Sequence, residues 1–302
     1  MRYNIFNRNL LGDGLMATPA MRAFANKLGP DDEFYLFTQR EPHTYIYGYI
    51  PYFKETFAID FDNPPPELEV PTEKGKWLDT KNGKSIYIDI GMSFNNAVNN
   101  REPHAQGYAK QLEVYPLTDL SYDAGICTNH MSVAMQFYNE QFIAAAGLRP
   151  VVIISHISRS CASRAGQPAN KMLSPEIWRE VVENLQDKYF FVFITDKEED
   201  NESIKGFGDC GYMDSVPIFI VGAFLKLCHM LITVENGMLV LAQAVGANIL
   251  GIAGAGPLYF YWTGTKGESL IIDYTGRGPH VVSADKIITS ILSLSEAIEG
   301  RI

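Results

Sequence analysis

Asn9-Leu10-Leu11-Gly12-Asp13-Gly14-Leu15-Met16-Ala17-Thr18-Pro19-Ala20 is the stretch on which the rest of the chain turns. An apolar run, residues 3–7, leads into it. Residues 14–28 lead out with Leu15, Met16, Ala20, Phe24 and Leu28 on one helical face and Gly29-Pro30 as a stop signal. Strand, glycine-flanked junction and helix, in that order, open a βα unit. Three chemistries fit the junction. Gly12-Asp13-Gly14 with Ala17 satisfies G-x-G-x-x-A, the loop that rests a dinucleotide pyrophosphate on a helix N-terminus. Asp13, however, puts an anion where that phosphate would lie. The second strand ends Thr38-Gln39-Arg40, with no acid to hold a ribose, though Arg40 would suit a 2′-phosphate. The second reading is a helix cap worth about 1 kcal/mol. The third is a general base that takes a proton from an attacking hydroxyl. The last two are only partly compatible, because a carboxylate held by several backbone donors is a weaker base.

Outward from the junction, strand-like and helix-like runs alternate. Residues 34–38 and 57–60 read as strands, 63–85 as a Pro- and Gly-rich excursion ending in a hairpin, and 86–90 as a strand. Helical stretches follow at 105–112 and 131–146, the latter stopped by Gly147. A second series begins at Leu148-Arg149-Pro150. Its strands are 151–155, 189–195, 230–234, 248–253 and 269–273. Its helices are 175–185, opened by Ser174 and Pro175, then 198–205, 219–228, 237–245 and 284–298. Two βα series joined near 147–150 imply two doubly wound domains, whose ligands sit beyond the carboxyl ends of the strands.

Composition narrows the classes. The chain has 302 residues, 46% of them hydrophobic, enough for two packed cores. A formal charge of −10 argues against general nucleic-acid binding. Cys127, Cys161, Cys210 and Cys228 form no CxxC or zinc spacing and read as reduced thiols of a cytoplasmic protein. Arg2, Asn4 and Asn7 interrupt the first strand, so it does not read as a signal peptide. Residues 216–234 contain Lys226 and His229 and read as helix plus strand, not a membrane span.

Three motifs in order carry a resemblance. The first is Leu11-Gly12-Asp13-Gly14-Leu15 with Thr18-Pro19-Ala20-Met21-Arg22-Ala23. The second is Ser155-His156-Ile157-Ser158, then Lys171 and Pro175-Glu176-Ile177-Trp178. The third is Leu231-Ile232-Thr233-Val234-Glu235-Asn236-Gly237-Met238, with Leu241-Ala242-Gln243-Ala244-Val245-Gly246 and Gly254-Ala255-Gly256-Pro257. Together they resemble glycosyltransferase family 9, the bacterial heptosyltransferases of the GT-B fold. The resemblance implies an α/β chain of two doubly wound Rossmann-like domains whose parallel sheets face a central cleft. Residues 1–148 would be the acceptor side and 149–283 the nucleotide-sugar side, with a terminal helix at 284–302 packing back on the first. Glu235 stands where the family has aspartate, Asn236 where it has serine, Val240 where it has histidine, and Ser174 where it has tryptophan.

The implied reaction is inverting, metal-independent transfer of a sugar from a nucleotide-diphosphate sugar to an acceptor hydroxyl. Asp13 would be its base, with no cofactor beyond the donor. Gly12 and Gly14 would allow a tight turn and close approach of the acceptor. Gly237 opens a helix whose positive end would face the diphosphate, with Asn236 and Met238 offering backbone N–H groups. Lys171 and Ser158 would approach the phosphates, and Arg159 and Arg164 could add bidentate contacts. Glu235 is long enough to reach a sugar or ribose hydroxyl. Phe219 would meet the base or simply be a core aromatic. His156 is a candidate phosphate contact, and His43, His104 and His280 could line the cleft, whereas His130 and His229 read as structural. Arg101, His104 and Lys110 fall where an acceptor would lie, or on a solvated helix face. The acid runs at 31–33 and 198–200 read as solvated turns, not metal ligands. The acceptor stays open: a lipopolysaccharide core reached by peripheral contact at the inner membrane face, another glycan, a protein, or a modified base in nucleic acid. Two other functions also stay open, an NAD(P)-dependent oxidoreductase using residues 12–17 and a non-catalytic sugar-nucleotide-binding protein.

Overall fold

The computed structural model describes residues 1–158, 171–195, 202–254, 262–275, 277 and 281–301. The chain divides into two compact units. The first is Met1–Cys127 with Tyr259–Thr263, and the second is Thr128–Leu258 with Gly264–Ile302.

The first unit is built on β1 (Arg2–Asn7), β2 (Glu33–Thr38), β3 (Glu55–Ala58), β4 (Trp77–Thr80) and β5 (Gly83–Tyr87), in the order β3-β2-β1-β5-β4. All pairings are parallel except the β4–β5 hairpin, which completes the expected excursion. Central β1 is covered on both faces, which is why its run is apolar and why Phe6 stacks on Phe37 at 4.7 Å. The expected single helix over 14–28 is two, α1 (Leu11–Leu15) and α2 (Thr18–Ala25). Pro19 causes the break. It has no N–H to give the Leu15 carbonyl four residues back, and the Thr18 hydroxyl takes that carbonyl at 2.7 Å instead. α3 (Glu41–Tyr47), α4 (Ile90–Asn100) and α5 (His104–Gln111) complete the unit. Gly107 lets α5 cross α4 closely, since a Cβ there would lie 2.4 Å from the Ser93 carbonyl oxygen.

Arg22, from the first motif, is a tie within this unit. Its guanidinium bonds Asp123 at 2.5 Å and Asp119 at 3.0 Å, and it also holds the Ser121 carbonyl. Burial pushes the Asp123 carboxyl up, and Arg22 and Tyr52 oppose that shift.

In the second unit β6 (Val151–Ser155), β7 (Phe190–Thr195), β8 (Cys210–Asp214), β9 (Met230–Val234), β10 (Ile249–Ala253) and β11 (Ser269–Asp273) form one parallel sheet, ordered β11-β10-β9-β6-β7-β8. Its helices are α6 (Thr128–Gln141), α7 (Ile143–Ala146), α8 (Pro175–Leu185), α9 (Ile218–Leu227), α10 (Gly237–Val245) and α11 (Ala284–Glu299). Two expectations change here. The boundary lies at residues 127–128, not 148–149, because α6 packs on α9 through Tyr138 on Phe224 and His130 on Phe219. The terminal helix packs on its own unit: Ile287, Ile291 and Leu294 of α11 share a core with Trp178, Val181 and Val182 of α8. Ser174 sits at the N-cap position of α8, yet its side chain makes no capping bond and is engaged with the Glu176 carboxylate. No helix among the described residues is long and apolar enough to cross a membrane.

Candidate functional site

Each sheet reverses its strand order once, and in open α/β sheets such a point, beyond the carboxyl ends of the strands, is where ligands bind. In the second unit that point lies between β6 and β9. Three side chains join the loops that leave these strands. Asn236 caps α10: its Oδ1 accepts from the Met238 N–H at 2.9 Å and from the Leu239 N–H at 3.3 Å. Its Nδ2 donates across the switch point to Ser155 Oγ at 2.9 Å and to the Ile157 carbonyl at 2.8 Å. Buried Ser158 donates back to the Glu235 carbonyl at 2.9 Å. Glu235 is buried as well. Its Oε1 lies 3.5 Å from Lys171 Nζ, and its Oε2 accepts from the Gly254 N–H at 3.3 Å. Only glycine fits at 254, where φ is +153° and a Cβ would lie 2.5 Å from the Thr275 nitrogen.

These contacts assign roles that differ from the expected ones. Met238 gives its N–H to Asn236, and the Ser158 hydroxyl is spent on a backbone carbonyl, so in this state neither offers that donor to a diphosphate. Glu235 is no cap; it is the counter-ion of Lys171. Gly237 begins α10 as expected, and its N–H belongs to the first, unladdered turn. Phe219 is half-buried with its ring 4.8 Å from that of His130. His156 is buried, edge-on to Phe193 at 5.6 Å. Arg159, Arg164 and His280 lie outside the described residues.

In the first unit the switch point lies between β1 and β5, and α1 follows β1 there. Asp13 is half-buried and belongs to the first turn of α1. It occupies the N-cap position of neither neighbouring helix; those are Leu10 and Ala17, without side-chain caps. Neither Gly12 nor Gly14 has a positive φ, so no tight turn demands them. Gly14 is small for another reason. A Cβ on it would lie 2.3 Å from the Tyr47 hydroxyl and 2.9 Å from Asn7 Nδ2. The glycine face thus receives a phenol of the chain itself. Asp13 raises the titration of two buried phenols, Tyr47 and Tyr108, after the larger effect of burial. Tyr108 also accepts from Asn9 Nδ2 at 3.2 Å.

Across the switch point, Asp89 caps α4 through the Met92 N–H at 2.8 Å and pairs with Lys74 at 2.9 Å. Burial would raise its carboxyl, but Lys74 and the Met92 N–H outweigh this and hold it below the usual range. His104 is buried, with its ring 5.2 Å from that of Tyr108. Burial pushes it down to about 4, so it is a neutral packing group. His43 is likewise buried, bonded to Thr38 Oγ1 at 3.1 Å, and pushed down to about 4 by burial and then by Arg40. Arg101 is exposed and closes α4 in the left-handed conformation, about 18 Å along that helix from Asp89. Lys110 pairs with Glu102 at 2.9 Å. Tyr47 escaped the sequence reading because α3 is short and carries few apolar residues; the aromatic two residues beyond Tyr45 was its only signal. Among the described residues, no three His, Cys, Asp or Glu side chains converge to hold a metal ion.

No family model matches the chain, and no curated protein does. Solved structures do match along the whole length. One is a glycosyl transferase of family 9 from Veillonella parvula, with a TM-score of 0.73 at 14% identity, covering 98% of this chain and 97% of that one. Another is the ADP-heptose lipopolysaccharide heptosyltransferase II of E. coli, with a TM-score of 0.71 at 11% identity, covering 99% and 100%. A third is TibC of enterotoxigenic E. coli, an iron-containing dodecameric glycosyltransferase, with a TM-score of 0.64 at 14% identity, covering 98% and 76%. The chain has the GT-B fold of these glycosyltransferases, in agreement with the resemblance carried by its three motifs.

Proposed function

We propose that this chain is an inverting, family 9-like glycosyltransferase that takes its sugar from a nucleotide-diphosphate donor, with Asp13 as the general base. The observation that carries the reading is Asp13 itself. An acid beyond the carboxyl end of a central strand, in the first turn of α1 and at no N-cap position, is placed to take a proton. Asp13 takes the acceptor hydroxyl's proton as the oxygen attacks the anomeric carbon. The bond from that carbon to the diphosphate breaks, and its electron pair leaves with the phosphate oxygen. The β6–β9 switch point would bind the leaving group, with Lys171 supplying positive charge and the Gly237 N–H a backbone donor. The heptosyltransferase II match uses ADP-heptose by its description, which makes an adenine-diphosphate heptose the first donor to try. A glycan of the lipopolysaccharide-core kind is the corresponding acceptor, and transfer would proceed without a metal.

A thermal-shift series with ADP-, UDP-, GDP- and dTDP-sugars tests donor binding, since a ligand of the native state raises its apparent stability. The ADP-sugars are expected to raise the melting temperature in the wild-type and Asp13→Asn proteins alike. No shift with any of them would remove the donor assignment. Two contacts favour a second reading, a non-catalytic sugar-nucleotide-binding protein: the Lys171 ammonium is paired with Glu235, and the Met238 N–H is already donated. Release of nucleoside diphosphate from bound donor separates the two.

A further inference from the structure

The Tyr47 hydroxyl is fully buried and has no hydrogen-bond partner among the described residues. Phenylalanine would fill the same space without leaving a buried polar atom unsatisfied. The hydroxyl also has a place prepared for it. It lies on the Gly14 face, where a Cβ would come within 2.3 Å, although the Gly14 backbone does not require glycine. A small residue next to Asp13 and an unpartnered phenol thus occur together, on α1 and α3, which are separate in sequence.

We propose that Tyr47 is a positioning residue for Asp13: with donor bound, its phenol donates to the Asp13 carboxylate and fixes the rotamer that receives the acceptor's proton. This rests on Asp13 being the base. The upward shift that Asp13 imposes on Tyr47 agrees with the two groups sharing one field. The neighbours are named groups. Tyr108 of α5 feels Asp13, Tyr47 and Asp89; His43 lies edge-on to Tyr47 with ring centres 6.5 Å apart and is bonded to Thr38; Asn7 Nδ2 borders the same glycine face; and Tyr52 feels Tyr47. Of the two phenols that feel Asp13, Tyr108 already has a partner in Asn9, and Tyr47 has none among the described residues.

A donated bond stabilises the carboxylate, so its loss makes Asp13 easier to protonate as well as less well placed. The test is release of ADP from ADP-heptose with water as acceptor, followed against pH in the full chain. Tyr47→Phe is expected to lower kcat about tenfold and move the acidic limb of the profile up by about one pH unit, with donor affinity unchanged. Carbon-13 carboxyl titration with ADP-heptose bound, assigned by difference with Asp13→Asn, should show the same upward move. A merely structural hydroxyl would move neither. If Asp13→Asn is inactive while Tyr47→Phe keeps the wild-type profile and carboxyl titration, the positioning role is overturned and the base survives. If Asp13→Asn keeps its turnover, both fall.

Discussion

Gly14→Ala gives the sharpest structural test, because the tightest contact that opposes a side chain there is one atom that can be removed. The Gly14 backbone is helical, so alanine alone should favour the folded state by up to about 1 kcal/mol. Against this, the new methyl would sit 2.3 Å from the Tyr47 oxygen and 2.9 Å from Asn7 Nδ2, both on buried side chains. Overpacking of this kind costs about 1–3 kcal/mol, which at the full helical gain leaves a net loss of about 0–2 kcal/mol. Tyr47→Phe removes the oxygen, and the next ring atom is 3.5 Å from the methyl, an ordinary contact. It also removes an unsatisfied buried hydroxyl, so by itself it should be neutral or stabilising by up to about 1 kcal/mol. The coupling between the two changes should therefore be about 1–2 kcal/mol, read from urea unfolding of the four proteins of the cycle. An equal cost of Gly14→Ala in both backgrounds would refute the claim that this glycine exists to admit the phenol.

Arg22→Met should lower stability by about 2–4 kcal/mol, because it strands the largely buried Asp123, while donor affinity stays as in the wild type. Calorimetry with ADP-heptose at a temperature where the variant is folded checks that separation. Lys171→Ala should weaken donor binding about tenfold or more, and an unchanged dissociation constant would remove it from the phosphate site. His43 supplies a pH signature. Its folded-state value is depressed from 6.5 to about 4, so the unfolded chain takes up the proton first. Its contribution is complete above about pH 6.5 and is lost as pH falls towards 4, by up to about 1.4 kcal/mol per unit. His43→Gln should flatten the stability profile in that window, and an unchanged slope would count against a buried neutral imidazole.

The architecture was legible where strands are buried on both faces, since such strands read as unbroken apolar runs: Val151–Ser155, Met230–Val234 and Ile249–Ala253 are examples. β8 was not, because its Cys-Gly-Tyr-Met-Asp run at the sheet edge has no such signature. The domain boundary was misplaced because α6 reads as the end of the first series, and only its packing on α9 assigns it to the second unit. At the candidate site, residue identity gave Asp13, Lys171 and Glu235 but not their engagement. Whether a backbone N–H is free or already donated to Asn236, and whether a lysine is bare or paired with Glu235, depends on chain segments brought together only by folding. Gly14 shows the same limit. A glycine beside an acid suggests a turn, whereas its reason here is a phenol from another helix.

Turnover by Asp13→Asn tests the central claim most directly. ADP release from ADP-heptose by the folded variant should fall at least a hundredfold, with donor affinity by calorimetry unchanged from the wild type. Near-wild-type release by a variant that still folds and binds donor would contradict it.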